Sequence, residues 1–85
     1  MPYTPPTDSG CSNEVDHNAY LAAHAAGWDF AYLAAYGAGP GDATTAAAQR
    51  HAGERFEERS RTYLRAYEGF CEGVRQFESD NETEG

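Results

Sequence analysis

Lysine is absent from this 85-residue chain, and all six of its basic residues are arginine, set against 14 acids for a formal charge of −8. A phosphate backbone is held by a basic face, so direct binding of nucleic acid is not expected. Cysteine is scarce too: Cys11 and Cys71 are too few for a disulfide scaffold. Long apolar runs are missing. The best candidate, 19–36, is mostly alanine and tyrosine with Asp29 near its centre, whereas a bilayer span takes about 20 strongly apolar residues. No membrane segment is expected. The opening residues Met1-Pro2-Tyr3-Thr4-Pro5-Pro6 offer neither a cationic start nor an apolar run, which leads us to expect an intracellular, cytoplasmic protein with reduced thiols.

Four prolines and nine glycines are too few for a collagen, and 13% aromatic residues are too many for a disordered chain. A chain of this size makes one small domain that buries only about 60–65% of its unfolded surface. A multi-domain enzyme is therefore excluded.

Residues 1–12 lack periodicity and read as a flexible arm. Ser12 or Asn13 can cap a first helix over 13–36, with Glu14 and Asp16 in the first turn, where carboxylates complement the helix dipole. Gly37-Ala38-Gly39-Pro40-Gly41 then ends it, and Asp42 is a suitable cap for the next. A long second helix is expected over 43–77, with a kink at Gly53 as the one interruption considered. Its positions Phe56, Ser60, Tyr63, Tyr67, Phe70, Val74 and Phe77 alternate steps of four and three, a heptad stripe. The last eight residues, 78–85, contain no apolar side chain and read as a disordered acidic tail. The expected fold is all-α: an antiparallel helical hairpin domain over 13–77.

Such a hairpin has more apolar surface than it can cover. Val15, Ala19, Ala22, Ala26, Phe30 and Leu33 make one packing stripe on the first helix, and Tyr20, His24, Trp28, Tyr32 and Tyr36, each four apart, make an aromatic ridge elsewhere on it. An exposed patch of this kind marks an interaction surface. The ridge, together with Phe56, Tyr63, Tyr67 and Phe70, is expected to form the interface of a homodimeric four-helix bundle. A loop centred on Gly39 would place Ala26 and Gly27 opposite Ala52 and Gly53, pair Asp29 with Arg50, and bring Cys11 within reach of Cys71. Gly69 and Gly73, four apart, suit a close helix contact.

Chemistry is thinly represented. Glu14-Val15-Asp16-His17 has the Glu-x-x-His spacing of carboxylate-bridged metal bundles, but each centre would need a further inward carboxylate, with Glu68 and Glu72 the nearest candidates. Cys71 sits in mid-helix without a base, and no strand precedes a glycine-rich phosphate loop. Neither a cofactor nor an enzymatic activity is expected. The charge distribution says more: 43–77 carries six arginines and five glutamates, while the remaining nine acids have no basic neighbour. In a hairpin Asp8, Glu14, Asp16, Glu78, Asp80, Glu82 and Glu84 would gather at one pole. The leading expectation is a small acidic interaction protein that binds a basic protein, in its sharpest form an inhibitor or nucleic-acid mimic of the kind that mobile elements encode. The alternatives are a structural subunit that buries its aromatic ridge against another protein, and a carboxylate/histidine metal-binding bundle.

Overall fold

Asn13 starts the first helix, α1 (Glu14–Ala35), by accepting the Asp16 backbone N–H on its side chain at 2.8 Å. That bond satisfies one of the amides a helix start leaves unpaired. At the other end Gly37 takes φ 73°, a left-handed conformation open to glycine without steric cost. The computed structural model describes residues 3–37, 39 and 41–82, and for 81 and 82 the backbone alone. Two more helices follow, α2 (Thr44–Arg55) and α3 (Arg61–Glu82), and the described residues contain no strand.

The all-helical class is as expected; the hairpin is not. The long helix over 43–77 is two helices, and the break falls at 56–60, while Gly53 lies within α2. Phe56 is extended, Arg59 takes a left-handed φ of 70°, and Ser60 Oγ accepts the Tyr63 backbone N–H at 3.1 Å. Ser60 therefore caps α3 instead of filling a polar slot in a continuous stripe. Asp42, the expected cap of α2, is one residue early: Ala43 occupies that position without a side-chain bond, and Asp42 pairs with Arg50 at 2.6 Å. Asp29 is exposed and does not form the expected pair with Arg50.

Because the chain reverses twice, α3 runs parallel to α1. Thr62 meets Asp16, Gly69 meets Tyr20, Gly73 meets His24, and Phe77 meets Trp28. The middle helix α2 runs antiparallel to α3, with Gly53 near Tyr63 and the His51 ring 5.5 Å from Phe70. Gly27 thus packs against the backbone of Phe70 and not against Ala52 or Gly53.

Small residues make the α1–α3 seam. Ala19, Ala23, Gly27 and Ala31, each four apart, are buried along α1, and Ala66, Gly69 and Gly73 are buried along α3. A Cβ added to Gly27 would lie 2.0 Å from the Phe70 carbonyl oxygen, and one added to Gly69 would lie 2.5 Å from that of Tyr20. The two backbones are in contact. Close approach of this kind replaces the area of large side chains with many backbone dispersion contacts. It also displaces the expected α1 stripe: Ala19 belongs to the core, but Val15 is 65% exposed and Ala22 and Leu33 also face outward. Helix α2 covers the outer side of α3 with Ala47, Ala48 and Ala52, all buried, around the Phe70 ring.

The segment 3–12, expected to be a flexible arm, lies along the helices. The Gln76 side chain donates to the Thr4 carbonyl at 2.9 Å, Ser9 Oγ and His17 Nδ1 are 2.8 Å apart, and the Tyr3 ring stands 5.6 Å from that of Trp28. Aromatic burial and these bonds oppose the entropy of a loose terminus. At the far end α3 continues past Phe77 through 78–82, where a disordered tail was expected; 83–85 lie outside the described residues.

Candidate functional site

The aromatic ridge is split between core and surface. His24 is 3% exposed and Trp28 8% exposed, both covered within the chain by Tyr3 and α3. Tyr20 is half-buried, its ring 6.1 Å from that of His24. The most exposed aromatic surface of the ridge is in the last turn of α1, at Tyr32 and at Tyr36, which is 72% exposed. Of the remaining residues expected at an interface, Phe70 is in the core, and Phe56, Tyr63 and Tyr67 are partly buried against it. The need for a second chain to cover the ridge came from placing it on a two-helix hairpin. Tyr3 and a third helix remove most of that need.

The acids do not gather at one pole. Parallel packing of α1 and α3 puts Glu14 and Asp16 beside the start of α3, roughly 25 Å along the helix from Glu78 and Asp80. Asp8 turns back on itself to accept the Gly10 N–H at 2.9 Å, near the beginning of α1. Asp16 is buried and wholly engaged: it accepts from Thr62 Oγ1 at 2.7 Å and from Asn13, and pairs with Arg61 at 3.0 Å. The Thr62 hydroxyl above all, with Asn13 and Arg61, holds its carboxyl below the usual carboxylate range. Asp16 is a structural clamp across the start of α1 and α3, which its first-turn position alone did not reveal. Glu84 and the side chain of Glu82 lie outside the described residues.

Four of the six arginines are taken up by acids: Arg50 by Asp42, Arg61 by Asp16, Arg65 by Glu68 and Arg75 by Glu72. Outside those pairs stand Asp8, Glu14, Asp29, Glu54, Glu57, Glu58 and Glu78, all exposed. Beyond Arg75 the chain has no further base, and α1 has none at all apart from histidine. The end of the molecule where α1 and α3 finish is consequently acidic, and the negative ends of two helix dipoles meet one positive end there.

That end also contains an open groove of about 470 Å³ between α1, α2 and α3. Phe30, Ala34, Val74 and Phe77 line it, together with Glu78 and with Asp42, whose charge Arg50 offsets. The wedge exists because alanines end α1 and a run of alanine and threonine begins α2, so neither helix has a side chain long enough to fill it. A smaller groove of about 250 Å³ between α1 and α2 contains both signs of charge, Asp29 and Glu54 with Arg50 and Arg55.

Elsewhere the chemistry stays sparse. Glu14 is exposed and His17 is bonded to Ser9; among the described residues no three His, Cys, Asp or Glu side chains gather as a metal would require. Cys11 and Cys71 are both free thiols, and burial pushes that of Cys71 up, away from the nucleophilic thiolate. No helix among the described residues is long and apolar enough to cross a membrane.

Two histidines are expected to make the fold acid-sensitive. Burial lowers the pKa of His24, opposed by Glu72, and burial followed by the nearby Arg55 lowers that of His51, opposed by Glu54. His24 Nδ1 is 2.7 Å from the Tyr3 hydroxyl, and His51 Nε2 is buried with no protein partner. A histidine whose folded pKa is depressed supports the fold above its unfolded value near 6.5 and loses that support as pH falls towards the folded value. The melting temperature should therefore fall between pH 7.5 and pH 5, and the double variant His24→Gln/His51→Gln should flatten that limb. Circular dichroism melts across this range check both; a midpoint that rises on acidification contradicts the assignment.

No protein-family model, curated protein or solved structure matches this chain.

Proposed function

We propose that this protein is a small, non-enzymatic, acidic interaction module that binds a basic protein partner. One observation carries the reading: the acids exceed what the arginines neutralise, and the surplus is displayed on the surface while four of the six arginines are drawn into ion pairs. Exposed acids without counter-charges repel one another and weaken a compact fold, a penalty that an approaching polycation relieves. Complementary charge speeds encounter and selects the partner's sign, so an inhibitor or nucleic-acid mimic is the sharpest form of this role.

Polyarginine serves as the probe, with polyglutamate as its control. Binding measured by fluorescence anisotropy should weaken at least tenfold between 50 and 500 mM salt, because screening acts on exposed charge. Absence of polyarginine binding at 50 mM salt, or an affinity indifferent to salt, rules the reading out. A structural-subunit role is less well supported than on a two-helix hairpin, because His24 and Trp28 are already covered by the chain's own residues.

A further inference from the structure

We infer that residues 3–8 are a proton-released cover: a strap that closes over His24 and Trp28 while His24 is neutral, and swings out about Gly10 when that imidazole takes up a proton. Release bares the aromatic face that α1 and α3 share and leaves the three helices in place. Such a cover operates whatever the charge of a binding partner.

The strap is lightly held. Two side-chain hydrogen bonds tie 3–8 to the helices, the Tyr3 hydroxyl with His24 Nδ1 at 2.7 Å and Gln76 to the Thr4 carbonyl at 2.9 Å, and among the described residues no backbone–backbone bond joins them. Pro5 and Pro6 have no amide hydrogen to donate, and Thr4, Pro5, Thr7 and Asp8 are exposed. Gly10 follows at φ 74°, with nothing within 4 Å of where a Cβ would stand, so the chain has room to pivot there. Tyr3 is what holds the strap down: its ring lies 5.7 Å from that of His24 and 5.6 Å from that of Trp28. Segments with few buried contacts and an exposed backbone are the first to open.

What lies beneath gains from water. His24 is 3% exposed, and an imidazolium there would be dehydrated whichever ring nitrogen received the proton. The groups that face it are the Tyr3 hydroxyl on the strap, the Tyr20 ring on α1 and Glu72 on α3. Burial pushes both tyrosines up, so they stay neutral, and Glu72, which favours the cation, is outweighed by burial and is itself paired with Arg75. Trp28 Nε1 is buried without a protein partner, so an open strap would hydrate it as well. With the strap open, His24 returns to its ordinary value of about 6.5. The closed state therefore binds fewer protons: its advantage is complete above that value and is lost as pH falls towards the depressed, closed one. Each unit between the two values multiplies the opening constant about tenfold once the pH is below both.

Trp28 is the single tryptophan, which makes the strap directly observable in the full chain. Acrylamide quenching of its fluorescence should rise at least twofold between pH 7.5 and pH 5, well below the melting range, while helical circular dichroism stays unchanged. In Tyr3→Ala the quenching should be high at both pH values, and the His24 pKa measured by NMR should be higher than in the wild type, because cover and proton compete for the same site. Glu72→Gln, which removes the charge that favours the cation, should move the transition to lower pH. His24→Gln should keep Trp28 protected throughout, whereas His17→Gln and His51→Gln should each retain the wild-type transition. The cover is disproved if Trp28 is as protected at pH 5 as at pH 7.5, if the helical signal is lost in step with the rise in quenching, or if Tyr3→Ala leaves the quenching and the His24 pKa as they are in the wild type. Should His24→Gln fail to fold, Tyr3→Ala and the NMR titration still decide between these outcomes.

Discussion

Gly73→Ala should be among the most damaging single-atom additions this chain can suffer. The new Cβ would lie 2.0 Å from the His24 carbonyl oxygen and 2.8 Å from the Trp28 amide nitrogen, both backbone atoms in the middle of α1. A flexible side chain could swing away, but a helix backbone cannot. Either α1 and α3 separate along their whole length or the seam loses its register. Overpacking of a tight core costs about 1–3 kcal/mol and at times more, and contact with backbone on both sides puts this case at or above the upper end. For a domain of this size, about 3 kcal/mol corresponds to a fall in melting temperature of roughly 12–24 °C. Gly53→Ala is the internal control. Its Cβ would meet only the edge of the Tyr63 ring at 3.9 Å, in a helix where alanine is intrinsically better by about 0.5–1 kcal/mol. Thermal melts of the two variants should move in opposite directions; equal, small shifts would mean that α1 and α3 do not touch at Gly73.

Phe70→Ala should be comparably severe by the opposite route. Phe70 is a large buried ring that joins three helices, 5.5 Å from Phe30 on α1 and 5.5 Å from His51 on α2, and 4% exposed. Its truncation leaves a cavity lined by alanines that are too short to collapse into it, and such deletions cost about 3–5 kcal/mol. The damage should be uneven. Helix α2 contributes only small side chains to the core, so its grip on α3 depends on this ring more than the α1–α3 seam does. Hydrogen exchange should accordingly show α2 amides losing protection before those of 19–31. Uniform loss across all three helices would show that α2 is not a separately loosened unit.

The sequence discloses the helical class, both ends of α1 and the buried half of the heptad stripe on α3, because those depend on local signals: the Asn13 cap, the left-handed Gly37, and Phe70, Val74 and Phe77 at helical spacing. The turn at 56–60 is hidden because its left-handed residue is an arginine, and neither glycine nor proline marks it. Ser60 fits both a heptad and a cap, and only tertiary structure decides between them. Once that turn is missed, direction is lost as well, and the antiparallel register and the single acidic pole fall with it. The α1 stripe is misread for another reason: apolar weight points to Val15 and Leu33, while the seam selects for smallness at Ala23 and Gly27. Tyr3 had no signal, since a lone aromatic in a proline-rich arm gives no period. The groove is legible only in part, because Asp42 and Glu78 are both visible as acids but are distant in sequence and face one wedge only when α2 and α3 lie side by side.

The parallel pairing of α1 with α3 has a consequence for how the chain finds its fold. Asp16 and Thr62 are 46 residues apart in sequence, whereas the antiparallel partners of a hairpin would be joined by a turn of about eight. Closing the longer loop costs about 1.5 kcal/mol more in chain entropy. The glycine seam, which rewards only intimate contact, returns nothing until the two backbones are already in place. Helix α2 shortens that search: packed antiparallel on α3, it carries the chain back along the length of the molecule and delivers α3 in the right direction. Its small side chains and modest share of the core fit a role as the strut that makes a nonlocal, parallel contact reachable in an 85-residue protein.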